Sequence, residues 1–294
     1  MNAVVTRAGF LTSVQDLGRT GFRQFGVSTS GALDSFALRV ANLLVGNDEG
    51  AAGLEITLGG LQLRFEDERI VAWCGGEFDV QIGSRALPAG HVAHLQAGDE
   101  LKFGRAQIGC RCWLAISGGI DVPVVLGSRS TDLRANFGGL EGRALRDGDV
   151  ICLRWPSHPP SLSYATSRPG YRNFLVDRTT RLGKPGKPPP EFAFHPWRRL
   201  EPLQRCQRFN DSRVTNSAVS PDSDRMGVRL DGPELKREDE TDLISEAVAP
   251  GTIQVPPSGK PILLLGDCQT IGGVPKNSSR DHGRSWHCSA ASCR

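Results

Sequence analysis

The chain of 294 residues has no apolar run long enough to cross a bilayer as a helix, and Met1 to Phe10 carries no basic stretch followed by an apolar leader. A membrane span and a secretory signal are therefore not expected, and the protein reads as cytoplasmic. Net charge is also scarce, at +3, with the basic residues spread rather than massed in a stripe. Nucleic acid is accordingly not expected as a partner. Missing too are a G-x4-G-K-[ST] loop, a strand-G-x-G-x-x-G-helix unit, and a lysine-centred biotin-attachment sequence. A nucleotide or a biotinyl group would have to be met in a non-motif pocket or supplied by a partner.

Zinc sites usually offer C-x2-C with a second distant pair, and that pattern is absent. Cys110 and Cys112 instead flank Arg111, and Cys74, Cys110, Cys112, Cys152 and Cys268 all lie in apolar, strand-like runs. They read as reduced core thiols, not ligands or disulfides, and no metal is expected. His91 and His94 lie on a strand edge, where a spacing of three sends side chains to opposite faces.

What the chain does have is glycine, 35 residues of it, and proline, 19, a balance that favours turns and short strands. Leu33, Phe36, Ala37, Val40, Ala41 and Leu44 recur at helical spacing, with Asp34 placed to cap the start and Gly46-Asn47 the stop. Leu54 to Leu58 and Leu61 to Phe65 alternate as strands around Gly59-Gly60. Further short strands are predicted at Ile70 to Cys74, Phe78 to Ile82, Val92 to Leu95, Leu101 to Phe103, Cys112 to Ile116 and Val150 to Arg154. Many short strands with one clear helix point to a mostly β barrel or sandwich.

The pattern breaks after Trp155. Residues 155–219 are rich in proline and arginine without periodicity and read as an irregular or disordered linker. Strand signals resume at Val228 to Leu230, Ile253 to Val255 and Pro261 to Leu265. The expected organisation is a first β half over 1–154, the linker, a partial second half over 220–276, and a polar, unpatterned tail over 277–294.

Several segments together carry a resemblance. They are Thr12-Ser-Val-Gln-Asp16-Leu-Gly18-Arg19, Gly26-Val-Ser-Thr-Ser-Gly31-Ala-Leu-Asp34, Ala41-Asn42-Leu-Leu-Val-Gly46-Asn47 and Leu54-Glu55-Ile-Thr57. Downstream follow Gly118-Gly-Ile-Asp121-Val-Pro123, Gly127-Ser128-Arg129-Ser130-Thr131, Gly138-Gly139 and Gly142-Arg143. The second half adds Ser223-Asp224-Arg225-Met226-Gly227, Gly232-Pro233, Ser245-Glu246, Gly251-Thr-Ile-Gln254-Val-Pro256 and Gly266-Asp267-Cys-Gln269-Thr270-Ile-Gly272-Gly273. In this order they resemble the family called KipA, allophanate hydrolase subunit 2 or the C-type subunit of 5-oxoprolinase. It is related to the carboxyltransferase domain of urea carboxylase.

The resemblance implies a fold of two cyclophilin-like β-barrel halves, the second of them incomplete here. It implies an ATP-dependent cleavage of 5-oxoproline to glutamate, with ATP met through the complex. The implied partners are a KipI-like subunit, the B-type subunit of 5-oxoprolinase, and a third 5-oxoprolinase subunit. Two alternatives come with it. One is transfer of a carboxyl group from carboxybiotin on a biotin carboxyl carrier to a urea or amide acceptor, and the other is a non-catalytic regulator that binds a KipI-like kinase inhibitor.

The family's usual Pro-Gly-Pro opening of the second half has no clean copy between Arg154 and Val219, and its closing strands are missing after Lys276. Codons allowed for Asn277 to Arg294, read one base later, can spell an apolar strand and an Ala-Gln-Leu-Arg run of the family kind, so the tail is expected to be a frameshift product.

Candidate site residues follow from chemistry. Arg19 and Arg129 sit in Gly/Ser-rich settings where a guanidinium can meet a carboxylate or phosphate bidentately. With the hydroxyls of Ser128, Ser130 and Thr131 after Gly127 they are candidates for anion or substrate binding. The plain alternative is that they cap turns and pin loops. Asp224, Arg225, Asp267 and Gln269 are the catalytic candidates, as base, electrostatic and hydrogen-bonding groups. Asp16 and Asp34 rank behind them, Asp34 because it suits the helix cap. Gly75-Gly76 and Gly272-Gly273 either let backbone amides approach a ligand or make bulges.

Overall fold

The computed structural model describes residues 1–156, 217–234, 246–269 and 271–272. The expected linker, apart from its first and last few residues, and the expected frameshifted tail lie outside the described residues, as does Gly273. The chain divides into two compact units. The first holds Met1–Arg19 and the described residues from Ser30 to 156, and the second holds Thr20–Thr29 and the described residues from 217 onward.

The first unit is a curled antiparallel sheet, so the mostly β reading holds. Its elements are β1 (Asn2–Ala8), β2 (Leu11–Gln15), α1 (Ser35–Leu44), β3 (Gly53–Thr57), β4 (Leu61–Phe65), β5 (Arg69–Ile82), β6 (Arg85–Ala86), β7 (Val92–Leu95), β8 (Glu100–Ile116) and β9 (Val150–Cys152). The order β2-β3-β8-β4-β1-β9 forms the main path, and β5 pairs along β8 while also carrying β6 and β7.

Four of the predicted short strands merge into two long ones. Ile70 to Cys74 and Phe78 to Ile82 are one strand, β5, and Leu101 to Phe103 joins Cys112 to Ile116 in β8. The break that glycine suggested is a bulge: the β5/β8 register shifts beside Gly75 and again up to Val80, which bends the pair without ending it. The bend lets one end of β8 pair with β4 and the other with β3.

Inside the curl lie Val5, Leu54, Ile56, Leu63, Phe65, Trp73, Phe103 and Leu114, all nearly solvent-free. Trp73 meets Phe78 and Phe103 edge to face and donates Nε1–H to Leu87 O at 2.9 Å. The helix covers the outer face, burying Leu38, Val40 and Ala41 against Ile70, Ala72, Cys74 and Trp113. Its N-cap is Asp34, whose carboxylate accepts from Ala37 N at 2.9 Å, as its sequence position predicts.

Both faces of β3 are therefore buried, which the alternating pattern did not convey. Glu55, on the helix side, is 2% exposed; its carboxylate accepts from Leu33 N and Trp113 Nε1, each at 3.1 Å, and faces Arg111 Nε at 3.6 Å.

The described part of the second unit is a four-stranded ladder, β10 (Ala218–Val219), β11 (Gly227–Asp231), β13 (Ile253–Gln254) and β14 (Ile262–Leu264), in the order β10-β11-β14-β13. A separate pair joins β12 (Glu246–Ala247) to β15 (Ile271–Gly272). Gly272 of the Gly272-Gly273 pair is thus a strand residue.

No helix among the described residues is long and apolar enough to cross a membrane. Cys74, Cys112 and Cys268 are buried free thiols, but Cys110 is half-buried and Cys152 exposed, so the core-thiol reading is corrected for those two. Cys152 points outward because β9 is the end strand of the main path and its alternate residues face away from the core. Burial pushes the Cys74 thiol up to about 12 and the Cys112 thiol well above its ordinary range.

Candidate functional site

The sequence candidates fall into two clusters, one in each unit. In the first unit β2 runs out at Gln15, and the next carboxylate, Asp16, turns inward at 8% exposure. Asp16 Oδ1 accepts from Ser128 Oγ at 2.6 Å, Ser130 Oγ at 2.5 Å and Gly18 N at 2.8 Å, while Oδ2 accepts from Arg129 N at 2.6 Å. The Ser128–Thr131 loop thus wraps a carboxylate of the protein's own chain. Thr131 adds Oγ1 to Val14 O at 3.0 Å, and Arg129 directs Nε to Val122 O at 3.1 Å.

Arg19 is 1% exposed, with Nη1 donating to Ser30 Oγ at 2.8 Å, Nη2 to Ser130 O at 2.5 Å, and its guanidinium 4.6 Å over the Phe137 ring. Residues 20–29 thus depart and return between two hydrogen-bonded neighbours. Gly31 makes this possible, since its φ is +83° and an added Cβ would lie 2.7 Å from Gly18 N. In this geometry the donors of the loop serve Asp16 and backbone carbonyls, so an anion bound there would compete with Asp16.

In the second unit the structure brings two of the four catalytic candidates together. Arg225 precedes β11 and Asp267 follows β14, and the ladder continues past its last strand residues with Leu265 N on Met226 O at 2.8 Å and Asp267 N on Arg225 O at 3.2 Å. Side by side, Arg225 Nε donates to Asp267 Oδ2 at 2.8 Å and Nη2 to Oδ1 at 3.3 Å, a two-point ion pair at 4% and 8% exposure.

Asp224 is exposed and caps its own turn, Oδ1 accepting from Met226 N at 2.8 Å and Gly227 N at 3.1 Å, which aims Arg225 inward. Gln269 is exposed, two residues beyond Asp267.

One participant was missed by the sequence reading. Arg23, in the short 3-10 turn Arg23–Phe25, donates Nη2–H to Val248 O at 2.9 Å and hydrogen-bonds Cys268. Burial pushes the Cys268 thiol up, and Arg23 opposes that rise. Only the position of Arg23, four residues beyond the quoted Arg19, pointed to it. Among the described residues no three His, Cys, Asp or Glu side chains converge as metal ligands.

A mostly β frame with a buried arginine–carboxylate pair at a strand end describes a class, and comparison with known proteins gives it a family. The family model described as carboxyltransferase domain, subdomain A and B, matches residues 25–279, and the chain belongs to that family. It is 42% identical to the C-type subunit of 5-oxoprolinase from Escherichia coli (strain K12) over 274 residues, which is 92% of this chain and 82% of the relative. It is 37% identical to urea amidolyase of Lachancea kluyveri over 243 residues, 79% of this chain but 13% of that protein. The crystal structure of the K. lactis urea amidolyase superposes with a TM-score of 0.74 at 29% identity, covering 94% of this chain and 17% of that one. The chain therefore corresponds to one part of the larger enzyme.

Proposed function

We propose that the chain is a cytoplasmic subunit of an ATP-dependent 5-oxoprolinase-type amide hydrolase that works with a KipI-like subunit and a third subunit. The observation that carries this reading is the 42% identity to the C-type 5-oxoprolinase subunit across 92% of this chain and 82% of the relative. The Arg23, Arg225, Asp267 and Cys268 group supports it. Arg225 held on Asp267 and Arg23 beside Cys268 place two guanidinium groups around one strand end, a setting suited to an anionic substrate such as 5-oxoproline.

Opening an unstrained lactam requires activation of its amide oxygen, which ATP would supply on the assembled complex. The one α-helix among the described residues is not suited to phosphate, because a carboxylate, Asp34, already caps its N-terminus. No step is therefore assigned to ATP on this chain. Asp267, fixed by Arg225, serves as an oriented acceptor for a substrate N–H or a water. Arg225 supplies fixed positive charge where negative charge develops, Asp224 holds the turn that aims it, and exposed Gln269 offers an amide to substrate. Arg19, Ser128, Arg129, Ser130 and Thr131 act as an anion-responsive loop around Asp16.

The test mixes the purified chain with both partner subunits, ATP and 5-oxoproline and measures glutamate. No glutamate would remove this reading, and full activity in Arg225→Met or Asp267→Leu would remove the site assignment.

A second reading is favoured by the TM-score of 0.74 to urea amidolyase. It is carboxyl transfer from carboxybiotin on a biotin carboxyl carrier to a urea or amide acceptor, and it predicts acceptor-dependent loss of label from carboxybiotin instead of glutamate.

A further inference from the structure

Away from both clusters, on the first unit, two chain reversals and a stretch of strand β8 meet around an open groove of about 510 Å³. The β1–β2 turn supplies Gly9 and Phe10, the β3–β4 turn Leu58, Gly59 and Gly60, and β8 the stretch Lys102 to Arg105. Backbone packs directly on backbone here: a Cβ on Gly59 would lie 1.9 Å from Gly104 O, and Gly59 has a φ of +89°. The glycines leave the floor bare, and the side chains stand around its rim.

Those rim side chains are unusual in two ways. Phe10 is 73% and Leu58 43% exposed, and Leu58 is held at a φ of 57°, a left-handed conformation that a leucine rarely adopts. Its backbone is fixed there by Leu58 N on Cys110 O at 2.8 Å and by Ala106 N on Leu58 O at 3.4 Å. Among the described residues neither side chain belongs to a buried apolar cluster.

The charges are equally one-sided. Arg7, Lys102 and Arg105 border the groove against one carboxylate, Asp79, whose contacts are to Gln81. Among the described residues Arg7 and Arg105 make no ion pair, while Lys102 meets Glu100 at 2.9 Å. Exposed aromatic and arginine side chains around a bare floor are the composition of a binding surface, not of a solvent-facing rim.

We propose that this groove docks an extended acidic segment of a partner polypeptide, with an apolar side chain of that segment placed against Phe10 and Leu58 and its carboxylates on Arg7 and Arg105. The excess positive charge selects the acidic occupant, and the open form of the groove suits a segment of chain. On the reading of the protein as one member of a complex, the segment belongs to the KipI-like subunit.

The experiment uses calorimetry at low and high salt to measure binding of the full-length chain to the purified KipI-like partner. Separately, it measures binding to a short fluorescein-labelled peptide of glutamate interspersed with leucine and phenylalanine, and to its lysine counterpart. Arg7→Glu/Arg105→Glu and Phe10→Ser should each weaken binding about tenfold or more, the charge variant losing most of the salt dependence. Asp79→Asn should tighten it.

All of these side chains are exposed, and unchanged thermal unfolding of the variants shows that folding is intact. Binding to the KipI-like partner that none of the substitutions alters overturns the proposal. If that partner does not bind the wild-type chain at all, the reading of the chain as its companion in a complex fails. The groove then stands on the peptide: binding of the acidic peptide lost in Arg7→Glu/Arg105→Glu upholds it, and equal binding of both peptides, or of neither, overturns it.

Discussion

The two units hold their polar centres in opposite ways. In the first, a continuous apolar interior runs from Ala3 through Trp73 to Leu153, and the Asp16 cluster is attached to the end of a strand that this interior already fixes. In the second, the buried apolar cluster among the described residues is Val248, Leu264 and Cys268, with Ile262 packed against it, and Asp267 immediately precedes Cys268. A polar group beside a large core can be lost with local damage, whereas one beside a small core shares in holding the ladder together. Among the described residues, fold and site are separable demands in the first unit and closely joined ones in the second.

The sharpest test of that contrast removes apolar volume. Trp73→Ala empties the centre of the large interior and leaves Leu87 O without its donor. It should destabilise the first unit toward the upper end of roughly 3–5 kcal/mol, read from urea unfolding followed by near-ultraviolet dichroism.

Next comes the buried pair. Asp267→Leu removes the buried carboxylate that holds Arg225 at two points and should destabilise the second unit by roughly 3–5 kcal/mol, toward the lower end. The double variant Arg225→Met/Asp267→Leu should recover most of that loss while remaining inactive. A double variant no more stable than the single would show that the pair is held by something other than charge matching.

Asp16→Asn should have a smaller effect, about 1.5–3 kcal/mol, because it weakens hydrogen bonds to an ionised group without emptying the core. If it unfolds the first unit outright, the contrast drawn above is wrong.

The smallest effect is electrostatic. The Arg143 side chain, hydrogen-bonded to Asp149, holds that carboxyl below its ordinary range. A depressed carboxyl stabilises above the unfolded carboxylate pKa and ceases to do so as pH falls through its folded value. Asp149→Asn should therefore remove about 1 kcal/mol near neutral pH and flatten the acid limb of the stability curve below about pH 4.

Much of the first unit was legible in the sequence because its signals are local. The helix from Ser35 to Leu44 follows from apolar spacing and the Asp34 cap, and β3 and β4 follow from alternation around two glycines. What alternation could not convey is that a sheet covered on both sides buries its polar residues too. Glu55 looks outward in the sequence and sits under Leu33 and Trp113 in the structure.

The glycines at 75 and 76 were ambiguous for a related reason, since a bulge and a strand end share the same local residues and differ only in what lies across the ladder. Arg225 and Asp267 could be picked individually by their chemistry. Their pairing across 42 residues is a property of the β11–β14 register, as is the company of Arg23 a property of tertiary placement.

The joint at Arg19 and Ser30 has a consequence for how this protein can change. Because the two residues are hydrogen-bonded and Gly31 lies against Gly18, the frame of the first unit closes over the gap whether or not residues 20–29 are there. Those ten residues have the form of an insertion: a stem shut by its own host, with a tip carrying Arg23. Such a segment can change in length or sequence, and with it the contacts of Arg23 to Val248 and Cys268, while the joint at Arg19 and Ser30 stays the same.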